Sequence, residues 1–277
     1  MRLSTRTRLR SVALHAVLLP LALVWLLPIW MMVVFSTMPD NAIFSADILM
    51  WPSSGLMDNL AALHADSNFL VGLRNSIVVG IVGTLSSMTL ASMAGWALAR
   101  YAFVGKRAVL IIVFGTLTLP YFVVVIPQFV MVARYFDMAN TWFALIVPPL
   151  FNALGVMLMR QAFLTMPAEL FDAARVEGVS EWKIFLHVAL PLARPTLAAL
   201  AIILFLASWN NYLWPLIIAN SPDMATAPVA LGSLVGLTRV SWGAIMAGAL
   251  ALTVPMLIVF ALLQRHFIAG ITAGAVK

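Results

Sequence analysis

The chain contains no cysteine, so a disulfide, a thiolate nucleophile and a cysteine-based metal site are all excluded, and thiol usage says nothing about redox compartment. Charge is scarce too. Asp, Glu, Lys and Arg make up 9% of its 277 residues, far below the quarter or so of a soluble domain. Catalytic signatures are missing as well: no G-x-x-x-x-G-K-[ST] loop cradles nucleotide phosphates, and neither G-x-S-x-G nor H-E-x-x-H occurs. The histidines His15, His64, His187 and His266 stand apart in sequence, near the ends of apolar runs or between them, where lone histidines are usually structural. A self-powered ATPase and an intramembrane hydrolase are therefore poor readings.

What fills the chain is hydrocarbon. With 63% hydrophobic residues and a mean hydropathy of +1.04, it reads as an integral membrane protein. Six stretches are long and apolar enough to cross a bilayer core that takes about 20 residues per helix: 11–35, 71–99, 108–133, 141–163, 196–219 and 243–267. The expected fold is all-α, six transmembrane helices forming one bundle domain over residues 1–277. The basic and then apolar N-terminus imitates a secretory signal. Its run to Phe35 is longer than a signal core and lacks a small-x-small cleavage site, so it reads as a retained first span.

Of the sixteen Lys and Arg, only Arg74, Arg134 and Arg239 fall outside the inner segments when the N-terminus is placed inside. That bias predicts an N-in, C-in topology. No Asp or Glu lies within any of the six spans. Ion-coupled carriers usually need an ionisable group at membrane depth, so a stand-alone secondary carrier is the weaker alternative.

Between the first two spans, Thr37 to Val71 is polar and turn-rich, with Asp40, Asp47, Asp58 and Asp66, and reads as a cap on the bundle. Span 2 is dense in small residues, including Gly80, Gly83 and Gly95, which marks a helix packed closely on others. Spans 3 and 4 carry Pro120, Pro127, Pro148 and Pro149. Such prolines either kink helices for packing or expose carbonyls along a cavity, and both readings stand at this point.

One polar island interrupts the apolar pattern at residues 166–195. It holds Glu169, Asp172, Glu177 and Glu181 with Arg175, Lys183 and Arg194, and the topology makes it cytoplasmic. Pro167 suits a first helical turn, and Gly178 suits a C-terminal stop at positive φ. Leu170, Ala173, Ala174 and Glu177 share one face at helical spacing, a face of small side chains open to another protein's surface. Ser180 is placed to cap a second short helix over 182–190, which Pro191 and Pro195 are expected to end before span 5.

The island resembles the signature loop of binding-protein-dependent ABC importer permeases, E-A-A, three residues, G, nine residues, I-x-L-P. Here Asp172-Ala173-Ala174 is followed after three residues by Gly178, and after nine more by Val188-Ala189-Leu190-Pro191. Asp172 replaces Glu, Glu177 stands where Asp usually precedes the glycine, and Val188 replaces Ile. Leu73-Arg74-Asn75-Ser76, the run Trp209-Asn210-Asn211-Tyr212-Leu213-Trp214-Pro215-Leu216, and the tail from Gln264 through Gly270 to Lys277 are similar to the carbohydrate-uptake branch of that family.

The resemblance implies a non-catalytic half-transporter in a bacterial inner membrane that moves a carbohydrate by alternating access, with import of glycerol-phosphate esters as the nearest alternative. Its partners would be a second homologous permease, two copies of a cytoplasmic ATPase and an extracytoplasmic solute-binding protein. ATP and Mg²⁺ would be held by the ATPase, and this chain would bind no cofactor, metal or nucleic acid. Glu169, Asp172, Ala173, Ala174, Arg175, Glu177 and Gly178 would form the coupling helix between helices 4 and 5, and the tail would reach the ATPase. Trp209, Asn210, Asn211 and Tyr212, with Asn152 and Asn75, are the candidate solute path. The same aromatics also suit an interfacial belt, and the same asparagines suit interhelical hydrogen bonds.

Overall fold

The computed structural model describes residues 5–45, 50–236 and 240–275; Asp47, Arg239 and the last two tail residues, Val276 and Lys277, lie outside the described residues. Among these every regular element is helical, with no strand. Three helices are continuous and apolar over enough length to cross a membrane: Ser11–Ser36, Phe69–Arg100 and Trp242–Leu262. Three bent pairs bring the possible number to six.

The chain divides into two compact units. The first comprises Met1–Phe69 and Leu231–Thr253. It contains α1 (Thr5–Ser36), which runs unbroken through Pro20 and Pro28, then α2 (Asp40–Ile43) and α3 (Leu56–Ser67). The segment read as a turn-rich cap thus holds a helix of its own. Buried Asn59 on α3 donates through Nδ2 to the carbonyls of Ser36 (2.8 Å) and Met38 (2.9 Å), satisfying the frayed end of α1. Asp40 accepts the backbone N–H of Gly243 at 2.9 Å, a carboxylate at the N-terminal end of the last helix.

The second unit comprises Leu70–Ala230 and Val254–Lys277. Its spine is α4 (Phe69–Arg100). After a short turn come α5 (Lys106–Thr118) and α6 (Tyr121–Val130), which widens into a π-helical turn over Met131–Tyr135. These two helices meet at 104°. Pro120 causes the break: Leu119 before it is held extended at ψ 123, as a residue preceding proline prefers. Next come α7 (Trp142–Ile146), a 3₁₀ turn at Pro148–Leu150 and α8 (Ala153–Leu164), with a 47° bend between the two arms.

Close packing of α4 on α8 explains the small residues of span 2. A Cβ on Gly95 would lie 2.8 Å from the Arg160 backbone nitrogen, and one on Gly155 3.2 Å from the Ala91 Cβ. Gly80 does the same against the ring of Phe205 at 3.1 Å. Asn75, wholly buried, donates to the carbonyls of Asp223 (2.7 Å) and Ala225 (2.8 Å), while Ser76 Oγ accepts from Ala227 N at 2.9 Å.

After the polar loop, with α9 (Ala168–Val176), α10 (Glu181–Ile184) and α11 (Leu190–Leu192), comes α12 (Arg194–Trp209). Over the expected span 196–219 the helix is not continuous. The helix stops at Trp209, Asn210 and Asn211 leave it, and only α13 (Leu213–Ile218) follows. Pro215 lacks the N–H that the Asn211 carbonyl would need, and Asn211 Oδ1 accepts the Trp214 N–H at 3.3 Å instead. The chain closes with α14 (Ala227–Ser233) and α15 (Trp242–Ala275). The Gly-rich tail is helical backbone through Ala275, continuous with α15.

Candidate functional site

Two places in the second unit concentrate polar chemistry. The first is the loop around α9. Pro167 precedes the helix at φ −55 and ψ 130, and the helix ends in a paired closure: Val179 N donates to Ala174 O and Gly178 N donates to Arg175 O, both at 3.0 Å. Gly178 sits at φ +76, the left-handed conformation that this closure demands.

An aromatic socket holds α9 down. Phe171 is 1% exposed and meets the Trp96 ring edge-to-face, centroids 5.1 Å apart; Phe163 meets the same indole at 5.2 Å. The Arg100 guanidinium lies over Phe171 at 4.3 Å and donates through one amino group to the carbonyls of Phe163 (2.6 Å) and Met166 (2.8 Å). A cation thus closes the C-terminal end of α8, where the helix dipole favours it, and at the same time clamps the helix that follows. Ala174 turns toward this cluster, so it belongs to the packed side rather than the open face. The open side carries Glu169, Leu170, Asp172, Ala173, Val176 and Glu177.

Ion pairs fasten the other end. Arg175 donates to Asp172 Oδ1 at 2.7 Å and to both oxygens of Glu181, at 2.6 and 3.3 Å. Tyr101 donates to Glu181 at 2.8 Å and accepts from the Trp96 indole N–H at 3.3 Å. Glu181 is held below the ordinary carboxylate range by the Arg175 hydrogen bonds and then by Tyr101. Burial, with the hydrogen bond to Glu181, pushes the Tyr101 hydroxyl up.

The second short helix differs from its expected form. Ser180 precedes α10 without a side-chain cap, and α10 passes through a π-helical turn at Phe185–Ala189 into α11, so the run extends to Leu192 through Pro191. The wide turn, in which Leu190 N bonds to Phe185 O, accommodates a proline ring that would crowd the carbonyl four residues back. The run then meets α12 at 81°.

The second place is a cavity of about 520 Å³ bordered by the broken helices. Pro148, Pro149, Leu150, Phe151 and Asn152 form one wall. The carbonyls freed there are met by side chains: Ser87 Oγ donates to Leu150 O at 2.8 Å and Gln128 Nε2 to Pro148 O at 3.2 Å. Ser208, Asn211 and Tyr121 add polar groups, and Leu145, Leu204 and Trp214 apolar ones. The balance of apolar wall and few polar groups, and the size, are those of a small-molecule site. Of the two readings open for the mid-span prolines, exposed backbone along a cavity describes Pro148 and Pro149.

The expected path residues separate. Asn152 and Asn211 line the cavity. Asn210 and Tyr212 are exposed and off it, and Asn75 is buried in the bonds described above. Trp209 is 2% exposed and stacked on Phe205 at 5.4 Å, a packing residue against Gly80. Sequence reasoning missed Gln128, Ser87 and Ser208 on the cavity, and Trp96, Arg100, Tyr101 and Phe171 under the loop. Phe171, the lone aromatic inside a charged helix, was the available signal. Among the described residues no group of three or more His, Asp or Glu is arranged to hold a metal.

Comparison with known proteins gives a consistent picture. The family model described as "binding-protein-dependent transport system inner membrane component" matches residues 87–272. An arabinooligosaccharides transport system permease protein of Halalkalibacterium halodurans is 36% identical over 82% of this chain and 81% of its own length. A lactose transport system permease protein of Rhizobium radiobacter is 32% identical over the whole of both chains. An sn-glycerol-3-phosphate transport system permease protein of Pectobacterium atrosepticum is 33% identical over 93% of this chain and 94% of its own. A bacterial ABC transporter involved in import of the acidic polysaccharide alginate superposes with a TM-score of 0.78 at 22% identity, over 96% of this chain and 99% of that one, a likeness of fold.

Proposed function

The chain belongs to the family of binding-protein-dependent transport system inner membrane components, and from that premise we propose that it is the membrane-spanning permease subunit of an ATP-driven importer of carbohydrate. The observation that carries this reading is the α9 loop. Its motif spacing, the helix ended by Gly178 at φ +76 and an exposed face including Glu169, Asp172, Ala173 and Glu177 together form a rigid knob suited to a cleft in another protein.

On this reading residues 1–277 act as one permease domain, N-in and C-in in a bacterial inner membrane, with the α9 loop cytoplasmic. A homologous second permease completes the pathway, an extracytoplasmic binding protein delivers the solute, and two ATPase subunits hold ATP and Mg²⁺. Closure of the ATPases moves α9. Through Phe171 and Arg100 that displacement reaches the C-terminal ends of both α4 and α8, the helices that pack at Gly95 and Gly155. Both helices also wall the cavity, through Gly83 and Ser87 on α4 and Asn152 ahead of α8, so movement of the loop alters access to it.

Reconstitution of the assembled complex tests this. Solute accumulation should require ATP and the ATPase subunits; uptake by this chain alone on an ion gradient would refute it.

A further inference from the structure

Two asparagines on the cavity wall have their oxygens occupied by the backbone. Asn152 Oδ1 accepts the Gly155 N–H at 2.7 Å, capping α8, and Asn211 Oδ1 accepts the Trp214 N–H at 3.3 Å beyond the break of α12. An amide oxygen facing an N–H donor fixes which way the amide is turned, so Nδ2, with its two protons, is the group left over. Among the described residues neither Nδ2 has a hydrogen-bond partner, and both side chains line the cavity.

The start of a helix at a break within a membrane ordinarily attracts an anion. At α8 the asparagine oxygen already occupies that position. Around it the polar lining consists of hydroxyls, amides and carbonyl oxygens, and among the described residues no Lys, Arg, His, Asp or Glu lines the cavity. A phosphate or carboxylate entering would be desolvated against carbonyl dipoles with no cation to balance it, which is costly. A neutral polyol suffers no such penalty. Its hydroxyl oxygens can accept from amide Nδ2 groups, its hydroxyl protons can go to the second lone pairs of the Pro148 and Leu150 carbonyls, and its C–H faces can lie on the exposed rings of Tyr121 and Phe151.

We propose that Asn152 and Asn211 are neutral donors that receive hydroxyl oxygens of the cargo, and that the cargo passing this subunit is an uncharged sugar rather than a phosphate ester or a uronate. The proposal rests on the importer reading and names the solute chemistry of the same cavity.

Aspartate keeps the capping oxygen while replacing the free donor by a charged acceptor, and serine keeps a capping oxygen without the charge. The assembled complex, with its binding protein, is placed in ATP-loaded proteoliposomes and offered neutral mono- to tetrasaccharides, sn-glycerol 3-phosphate and oligouronates. The expected result is ATP-driven uptake confined to the neutral arm. Uptake should fall by about tenfold or more in Asn152→Asp and in Asn211→Asp, scored on complex that still assembles, since the added carboxylate itself lowers stability. Serine at either position also caps but adds no charge, and should give a smaller fall, roughly threefold or more. Uptake of an anionic arm, or wild-type uptake in the aspartate or serine variants, would overturn the proposal. Uptake on an ion gradient with the ATPase omitted would instead remove the importer reading, and this proposal with it.

Discussion

The α9 loop and the cavity lie in the same unit of the chain and are built on opposite principles. The loop is charged and fastened: Arg100 and Arg175 hold it by hydrogen bonds of 2.6 to 3.3 Å, and its aromatic base is closed to solvent. Among the described residues no charged side chain lines the cavity, and interruptions border it, where prolines and asparagines divert backbone groups from helical bonding. On the proposed reading the loop transmits a push, and such a part benefits from short, directed contacts. A part that must let a solute pass benefits from polar groups that are individually modest and unsaturated. Variants in the loop should therefore disturb the link between hydrolysis and transport, and variants in the cavity should disturb the choice of solute.

The largest expected effect is at the base of the loop. Phe171→Ala empties a site in contact with Trp96 and Arg100 and should cost about 3–5 kcal/mol of local stability. Loss of solute-stimulated ATP hydrolysis and raised hydrogen exchange across 168–179 should accompany it; an unchanged exchange pattern would show that the socket does not hold the helix.

Gly178 comes next. Nothing lies within 4 Å of a Cβ built there, so Gly178→Ala isolates the backbone conformation at a cost of about 1–2 kcal/mol. Gly178→Pro should be worse, since it also removes the N–H donated to Arg175 O and cannot adopt φ +76. Melting temperatures of the complex should rank wild type, alanine and proline in that order.

The smallest effect is electrostatic. The folded Glu181 carboxylate has a lowered pKa, so its contribution is fully present above the ordinary unfolded value and is lost as pH falls through the lowered folded value. Solvent reaches this pair, which limits it to under about 1 kcal/mol. Protection of the 175–181 segment should weaken only in acid, below the ordinary glutamate range, and Glu181→Gln should flatten that dependence.

Local chemistry was legible in the sequence. Pro167 and Gly178 bracket α9 because proline and glycine act on their own backbone, whatever surrounds them. The socket was not legible, because Trp96, Arg100 and Tyr101 reach Phe171 and Glu181 only through the folding of α4 against α8. Hydropathy alone ran straight through Trp209 to Ala219, since two asparagines are outweighed by the apolar residues around them. In the backbone the same two amides, with Pro215 four residues after Asn211, end the helix. The mid-span prolines announced breaks, and only the course of α5 to α8 decides that Pro148 and Pro149 face a cavity.

On the proposed reading the loop couples ATP hydrolysis to transport and the cavity conducts the solute. The most direct test is the ratio of solute accumulated to ATP hydrolysed in the reconstituted complex carrying Gly178→Pro. Hydrolysis should continue with uptake reduced about tenfold or more; a ratio equal to that of wild type would contradict a coupling role for the loop.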